Sequence, residues 1–380
     1  MPSRRPRLAV LGLFFANGVG WASWASRLPT IREQLELSEG ALGLALLGAT
    51  VGLFVATALT SLLVIRFGSR AVAIGAGVAM SAVLPFIGLA PGFLSFATAL
   101  ICYGVTNGAL DLASNAQAAD VERRVARPMM SGFHALFSAG AIAGAGSAAA
   151  LAALDVPVEV HLSAVGAVLA LAFLAARPAL LADLPHDPAA RARALALPPA
   201  PLLALGALAF CVLLAEGAIF DWSAIYMNSV AHANLAMSAI GLAVFQGAMM
   251  LGRLRGDWAA VRLGPRLVVS GGAALGVAGL LLALLVPTVL TSLAGLFLLG
   301  LGLAAAFPLT LSRAARMPGV PTPTALAATT AAGYTGFMAG PPLIGFIAEL
   351  TNLRVGLGVV VVCLVLAVAL AGRLGGTAPA

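Results

Sequence analysis

Two acidic residues lie in the middle of strongly apolar stretches, where a charged side chain needs a functional reason. Asp111 lies between Asn107 and Asn115 at i, i+4 spacing, which predicts one polar stripe along a helix. Glu216 lies in a second apolar stretch. We predict that both carboxylates take part in proton coupling; the alternative is that they bond neighbouring helices. His134 is a third candidate, because an imidazole changes charge near neutral pH, and the alternative there is a histidine at the membrane interface.

Neutral polar and aromatic side chains at helical spacing predict a cavity for a small polar solute. Asn17, Trp21 and Trp24 share one face of the first apolar stretch. An amide can bond a hydroxylated solute while an indole stacks on its apolar surface. Trp24 lies nearer the predicted membrane boundary, so we expect it in the aromatic belt. Gln246 and Tyr334 complete the predicted cavity with the two asparagines of the stripe; helix packing is the alternative for each.

The composition places these residues in a membrane protein. Of the 380 residues, 61% are hydrophobic and 9% are charged, and the mean hydropathy is +1.04. Ordinary soluble domains have about 25% charged residues, so a soluble fold is excluded. At about 20 residues per crossing, the chain predicts an all-α membrane protein with about twelve transmembrane helices.

Catalytic, metal and nucleotide chemistry is not expected from this sequence. The four histidines are scattered along the chain, and the three cysteines lie singly within apolar stretches. There is no G-x-x-x-x-G-K-[ST] sequence, which would bind the phosphates of ATP. We therefore predict that the protein is not an enzyme and uses no cofactor or metal.

The arginines predict the orientation of the chain. There is no lysine, and eighteen of the 21 basic residues fall at the termini and on alternate connections. The other three are Arg27, Arg32 and Arg354, and we expect Arg27 to reach water from a helix end. Because positive residues are retained in the cytoplasm, we predict a multi-pass protein of the cytoplasmic (inner) membrane with both termini inside. This distribution explains the pI near 10.6 without a nucleic-acid partner.

A polar, proline-rich stretch at 177–200 is expected to be a cytoplasmic linker between two halves, 1–176 and 201–380, with six helices each. The halves repeat each other. Residues 66–70 (Arg-Phe-Gly-Ser-Arg) recur 196 residues later as residues 262–266 (Arg-Leu-Gly-Pro-Arg). Parallel repeats of this kind are typical of one class of secondary transporters.

Residues near these repeated loops predict a cytoplasmic gate, and repeated glycines predict helix packing. Arg253 is expected to reach water from a helix end and to pair with Asp257, which lies four residues further along the same helix. The predicted gate residues are Arg66, Arg70, Arg253, Asp257, Arg262 and Arg266. Glycines four residues apart let helices approach closely, and a proline adds a kink. The predicted packing residues are Gly140, Gly144, Gly336, Gly340 and Pro341.

This arrangement resembles the major facilitator superfamily. The loop signature of that superfamily is Gly-x-x-x-Asp-Arg-x-Gly-Arg. At its first four specified positions this chain has Ser61, Ile65, Arg66 and Gly68, and Arg70 lies one residue beyond the position of the last arginine. The resemblance implies two pseudo-symmetric six-helix bundles that move a solute by alternating access. We expect a monomer in the lipid bilayer, with a small-molecule solute and protons as its partners.

The chain is also similar to a bacterial subgroup, the YbjJ-like transporters related to the fucose permeases. The similar stretches are 17–29, 107–117, 216–223 and 333–345. The resemblance implies proton symport of a small polar solute, such as a sugar, although fucose permeases also carry a carboxylate in the first span and this chain has none there. The alternative is a proton-driven exporter of drugs or hydrophobic metabolites. Drug antiporters carry a Gly-Pro pair in span 5, whereas here Gly340-Pro341 lies in span 11, which favours symport.

Overall fold

The computed structural model describes residues 4–125, 129–182, 200–318, 320 and 322–375. Within these residues the chain forms fourteen α-helices and two short 3-10 segments and no strand. The helices are α1 (Arg4–Ala25), α2 (Leu28–Gln34), α3 (Glu39–Phe67), α4 (Ser69–Gly88), α5 (Phe93–Val125), α6 (Met130–Ala153), α7 (Val158–Ala176), α8 (Ala200–Ser229), α9 (Leu235–Leu263), α10 (Pro265–Leu285), α11 (Val289–Leu303), α12 (Ala306–Ala315), α13 (Thr322–Leu350) and α14 (Leu353–Leu370).

Eleven stretches of the described helices are long and apolar enough to cross a membrane. Two of them join consecutive helices: Arg4–Gln34 contains α1 and α2, and Val289–Ala315 contains α11 and α12. The remaining expected span is the eleventh; it corresponds to α13, a helix of 29 residues with two internal prolines, which is not among the eleven stretches. The structure thus confirms the all-helical, multi-span fold.

A proline explains why one expected span, 289–311, is divided into two helices. α11 ends at Leu303 and α12 begins at Ala306. Pro308 has no N–H with which to bond the carbonyl of Ala304, and its ring crowds that carbonyl. The helix is therefore interrupted at the residue whose i to i−4 hydrogen bond is lost.

The described helices belong to two compact units. The first comprises residues 1–185 and 223–246, and the second comprises 186–222 and 247–380. The end of α8 and the start of α9 thus belong to the first unit, where Ala239 packs with Ala148 and Ala149. The expected division into halves stays a prediction, because residues 183–199 of the linker lie outside the described part of the chain.

Close glycine contacts join α1 to α6 in the first unit. A Cβ atom at Gly140 would overlap the carbonyl oxygen of Phe15, and one at Gly144 would lie 2.5 Å from the carbonyl oxygen of Val19. The lack of side chains at these two positions lets the helix backbones touch. Both residues are among those that the sequence predicts for helix packing.

The second unit has a similar contact between α8 and α13, which is too close for a Cβ atom at one of the two glycines. A Cβ atom at Gly336 would overlap the carbonyl oxygen of Phe210, and one at Gly340 would lie 3.5 Å from that of Leu214. Pro341 and Pro342 follow inside α13 without ending it. The glycine spacing in each half therefore corresponds to a matching helix contact.

The repeated basic loops also have the same backbone conformation. Gly68, between α3 and α4, has φ 84° and ψ 156°, and Gly264, between α9 and α10, has φ 84° and ψ 146°. A positive φ of this kind favours glycine because a Cβ atom would be strained there. The structure confirms that the two loops are one repeated element.

Candidate solute and proton site

A polar stripe on α5 faces α1 in the first unit. Asn107 donates through Nδ2 to Oδ1 of Asn17 at 3.4 Å, and both side chains are buried. One turn further on, Asn115 donates to the main-chain oxygen of Asp111 at 2.9 Å. The structure therefore brings together Asn17 and Asn107, two residues that the sequence predicts for one cavity, on the face of α5 that also carries Asp111.

An aromatic cluster lies one turn away from this amide pair. The ring centroids of Trp21, Trp24 and Tyr103 are 5.6 to 5.9 Å apart, and Tyr103 meets both indoles edge-on. Trp24 has no exposed surface, so its expected place in the aromatic belt is wrong. The indole is buried because α5 supplies a tyrosine opposite it. Tyr103 precedes Asn107 by four residues, and this continuation of the stripe was the signal that the sequence reasoning missed.

Asp111 is half-buried inside the span Phe93–Glu122. Among the described residues, no ion pair involves its carboxylate. A negative charge within a membrane span is costly without a counter-charge, and a bound proton removes that cost. The setting of Asp111 is thus suited to a carboxylate that gains and loses a proton. Its role in coupling stays a prediction.

Glu216 has a different setting in the second unit. Arg253 donates through Nη2 to Oε1 of Glu216 at 3.0 Å, and the two side chains are 16% and 12% exposed. The expectation that Arg253 reaches water from a helix end is wrong, because its guanidinium is held by an acid on another helix. The side chain of Asp257, its expected partner, lies outside the described part of the chain.

His134 lies on α6 and contacts α1. Its ring meets the edge of Phe14 with centroids 5.1 Å apart. This contact places the imidazole beside the helix that carries Asn17. A proton relay through His134 stays a prediction.

The last two predicted cavity residues belong to different units. Gln246, in the first unit, is fully buried, and neither atom of its amide group has a hydrogen-bond partner within the described part of the chain. Such an amide is costly unless a water or a ligand bonds it. Tyr334, in the second unit, is half-buried on α13.

Four of the five arginines of the predicted gate lie at helix ends. Arg66 is exposed and lies over the ring of Phe67 at 5.5 Å, and Arg262 is exposed and lies over Trp258 at 5.7 Å. The remaining two are Arg70, which is half-buried, and Arg266, which is exposed. The gate itself stays a prediction.

A buried arginine at the end of α1 was also misjudged from sequence. Arg27 is only 4% exposed and donates through Nη2 to the carbonyl of Val156 at 2.7 Å, so the expectation that it reaches water is wrong. The loop after α6 covers the guanidinium and supplies an acceptor.

A second buried group, His161, lies beside α6. The hydroxyl of Ser147 donates its proton to the carbonyl of Gly144, so the Nε2 atom of His161 must be the donor in its bond to Ser147 at 3.2 Å.

No group of three or more potential metal ligands occurs among the residues that the structure describes. The arrangement is one of polar and ionic groups inside apolar helices, which can bind a solute and a proton in turn.

Comparison with known proteins defines the family. The profile of the Major Facilitator Superfamily matches residues 10–322. A protein of Yersinia pestis described as an uncharacterized MFS-type transporter is 36% identical over 362 residues, which cover 95% of this chain and 93% of that protein. The chain therefore belongs to the Major Facilitator Superfamily. It is a multi-pass membrane transporter and not an enzyme.

Two solved structures show the same fold. A bacterial homolog of the human lysosomal transporter Spinster, in an inward-facing and occupied conformation, has a TM-score of 0.76 at 16% identity, with 98% of this chain and 96% of that chain covered. The fucose:proton symporter of E. coli has a TM-score of 0.65 at 17% identity, with 99% and 100% covered. At these identities the likeness concerns the fold alone.

Proposed function

We propose that the protein is a proton-coupled symporter that moves a small polar solute across the cytoplasmic membrane by alternating access. Both termini lie in the cytoplasm in this proposal, in keeping with the arginine distribution. Protons bind at Asp111. The observation that carries the proposal is the position of this carboxylate on the same face of α5 as the Asn17–Asn107 amide pair.

The neighbouring groups suit a solute with both hydroxyl and apolar surfaces. Amides donate and accept hydrogen bonds, so Asn17 and Asn107 can exchange their bond to each other for bonds to a solute. At 3.4 Å this bond is long, which makes the exchange inexpensive. The indole of Trp21, one turn along α1, offers a flat apolar surface for stacking.

Proton coupling follows from a difference between the two half-buried acids, Asp111 and Glu216. The charge of Glu216 is balanced by Arg253, whereas Asp111 has no ion pair among the described residues. A proton on Asp111 neutralises the stripe, and its release restores the charge. A solute that binds one of these forms more tightly shifts the balance between the two open states, and this differential binding couples the two movements.

Proteoliposomes that contain a pH-sensitive dye test the proposal. Purified protein is reconstituted and challenged with sugars, sugar acids, amino acids and lipophilic drugs. We expect one solute class to acidify the interior, and we expect Asp111→Asn to abolish this signal. Asp155→Asn is the matched control, because Asp155 is an exposed loop residue whose φ of 52° an asparagine also adopts.

Two results would overturn the proposal. Proton movement out of the vesicles on addition of a lipophilic drug would establish the exporter alternative. Solute-driven acidification that persists in Asp111→Asn at the level of the Asp155→Asn control would remove Asp111 from the coupling step.

A further inference from the structure

The ion pair between Glu216 and Arg253 lies toward the middle of the membrane. α8 ends at Ser229 and α9 begins at Leu235, so the depth of each residue can be measured along its helix from this shared end. Glu216 lies about 20 Å along α8 from that end, and Arg253 lies about 27 Å along α9. Arg253 is therefore nearer the opposite membrane surface, where an arginine ordinarily extends to water. Its guanidinium instead reaches back to Glu216.

Neither the fold nor stability accounts for this pair. At the repeat offset of 198 residues, the equivalent positions in the first half are Gly18 and Val55, so the helix packing of the repeat does not need the charges. A buried ion pair is also a weak source of stability, because desolvation of both charges offsets their attraction. A pair of charges that is retained at this depth calls for a function.

The ion pair is mostly buried, but both of its side chains keep some exposed surface. Arg253 is 16% exposed and Glu216 is 12% exposed, so part of each side chain lies at the surface of the protein. A guanidinium is a planar donor that matches a carboxylate, and the group that occupies it here is itself a carboxylate. The other titratable groups on α8 and α9 are Cys211, Asp221, Tyr226, Arg255, Asp257 and Arg262, and those on α12, α13 and α14 in the same unit are Arg313, Tyr334, Glu349, Arg354 and Cys363.

We infer that Arg253 binds the carboxylate of an anionic solute, and that Glu216 occupies this position when the solute is absent. The inference rests on the proposed transport of a small polar solute and narrows that solute to small organic acids. When the solute carboxylate bonds Arg253, the displaced Glu216 would add an unpaired negative charge. One proton bound by Glu216 removes this charge while the anion is bound.

Binding to the purified protein in detergent tests this inference without transport. The probes are matched solutes that differ in a carboxylate: glucuronate with glucose, and lactate with propane-1,2-diol. Thermal stabilisation is measured at about pH 5.5 and about pH 8, on either side of neutrality. We expect the acids to stabilise the protein and the neutral partners to leave it unchanged. The stabilisation is expected to be larger at the lower pH, because the proton that Glu216 takes up with the anion is then more available.

Variants of the pair separate binding from folding. We expect Glu216→Gln to bind the acid about tenfold more tightly or better at the higher pH, and to lose the pH dependence, because the competing charge is gone. The double variant Arg253→Gln, Glu216→Gln removes both charges of the pair together, so neither is left without the other, and it does not bind the acids. Arg32→Gln removes one partner of the half-buried pair Arg32–Glu39 in the first unit and is the control that keeps acid binding.

The outcomes distinguish this inference from the proposed function. Equal stabilisation by neutral partners, acid binding that persists in the double variant, or no stabilisation by any acid at either pH overturns the inference. If glucose or another neutral solute nevertheless drives proton uptake that Asp111→Asn abolishes, the proposed function stands alone. A third outcome is that acids bind to the protein and not to the double variant, while no solute moves protons in vesicles. In that case the anion site is supported and the proposed proton coupling fails.

Discussion

Two glycines on α6 allow a sharp test of the helix contact that positions the polar face of α1. A Cβ atom at Gly140 would overlap the carbonyl oxygen of Phe15, whereas one at Gly146 would meet nothing within 4 Å. The same substitution, glycine to alanine on the same helix, therefore has opposite expected effects. Gly140→Ala forces α1 away from α6, and an overpacked contact of this kind costs about 1–3 kcal/mol.

The control substitution is expected to stabilise the protein. Gly146→Ala meets open space, and replacing glycine inside a helix gains about 0.5–1 kcal/mol. In Gly140→Ala, by contrast, moving α1 about 1 Å away from α6 loses roughly a quarter to a half of the attraction between their contacting atoms, so the other contacts between the two helices weaken as well. The two variants should differ by about 2 kcal/mol or more.

Thermal unfolding in detergent, followed by tryptophan fluorescence, measures this difference. We expect the apparent Tm of Gly140→Ala to fall below that of the unsubstituted protein, and the apparent Tm of Gly146→Ala to equal or exceed it. For domains of 150–250 residues, 1 kcal/mol corresponds to about 2–4 °C. Equal transitions for the two variants would refute the close contact of α1 and α6.

Two further predictions concern buried polar and aromatic groups. Gln117→Leu removes the two hydrogen bonds between the buried amide of Gln117 and the backbone N–H and carbonyl of Leu181, which costs about 1–3 kcal/mol for each group left unpaired. Backbone hydrogen exchange at residues 177–182 should therefore become faster in this variant. Unchanged exchange, which is the result expected for the exposed control Gln34→Leu, would contradict the contact. Trp24 is fully buried, whereas Trp258 is 61% exposed. Brominated lipids should therefore quench the fluorescence of a variant with Trp258 as its only tryptophan much more than that of a variant with Trp24 as its only tryptophan. Strong quenching of Trp24 would restore its expected place in the aromatic belt.

The fold could be predicted because its determinants are local or periodic. The apolar stretches fix the helices, and the repeated loops at Gly68 and Gly264 need glycine for a positive φ. The glycine pairs on α6 and α13 carry the spacing that close helix contacts require. The break between α11 and α12 was not predicted, although Pro308 carries the signal for it.

The site was less predictable because its geometry depends on partners that are distant in the sequence. The stripe of Asn107, Asp111 and Asn115 follows from helical spacing alone, but its contact with Asn17 joins residues 90 positions apart. Helical spacing could not show that Arg253 bonds Glu216, because the nearest acid in sequence is Asp257. The burial of Trp24 likewise depends on Tyr103, which another helix supplies.

The central claim is that Asp111 couples solute movement to protons, and accumulation measured beside exchange tests it most directly. Proteoliposomes with an imposed inward proton gradient are supplied with the labelled solute found in the dye assay, and exchange without a gradient is measured in parallel. We predict that Asp111→Asn still exchanges the solute but no longer accumulates it above the external concentration. Accumulation by this variant equal to that of Asp155→Asn, with exchange unchanged, would contradict the account.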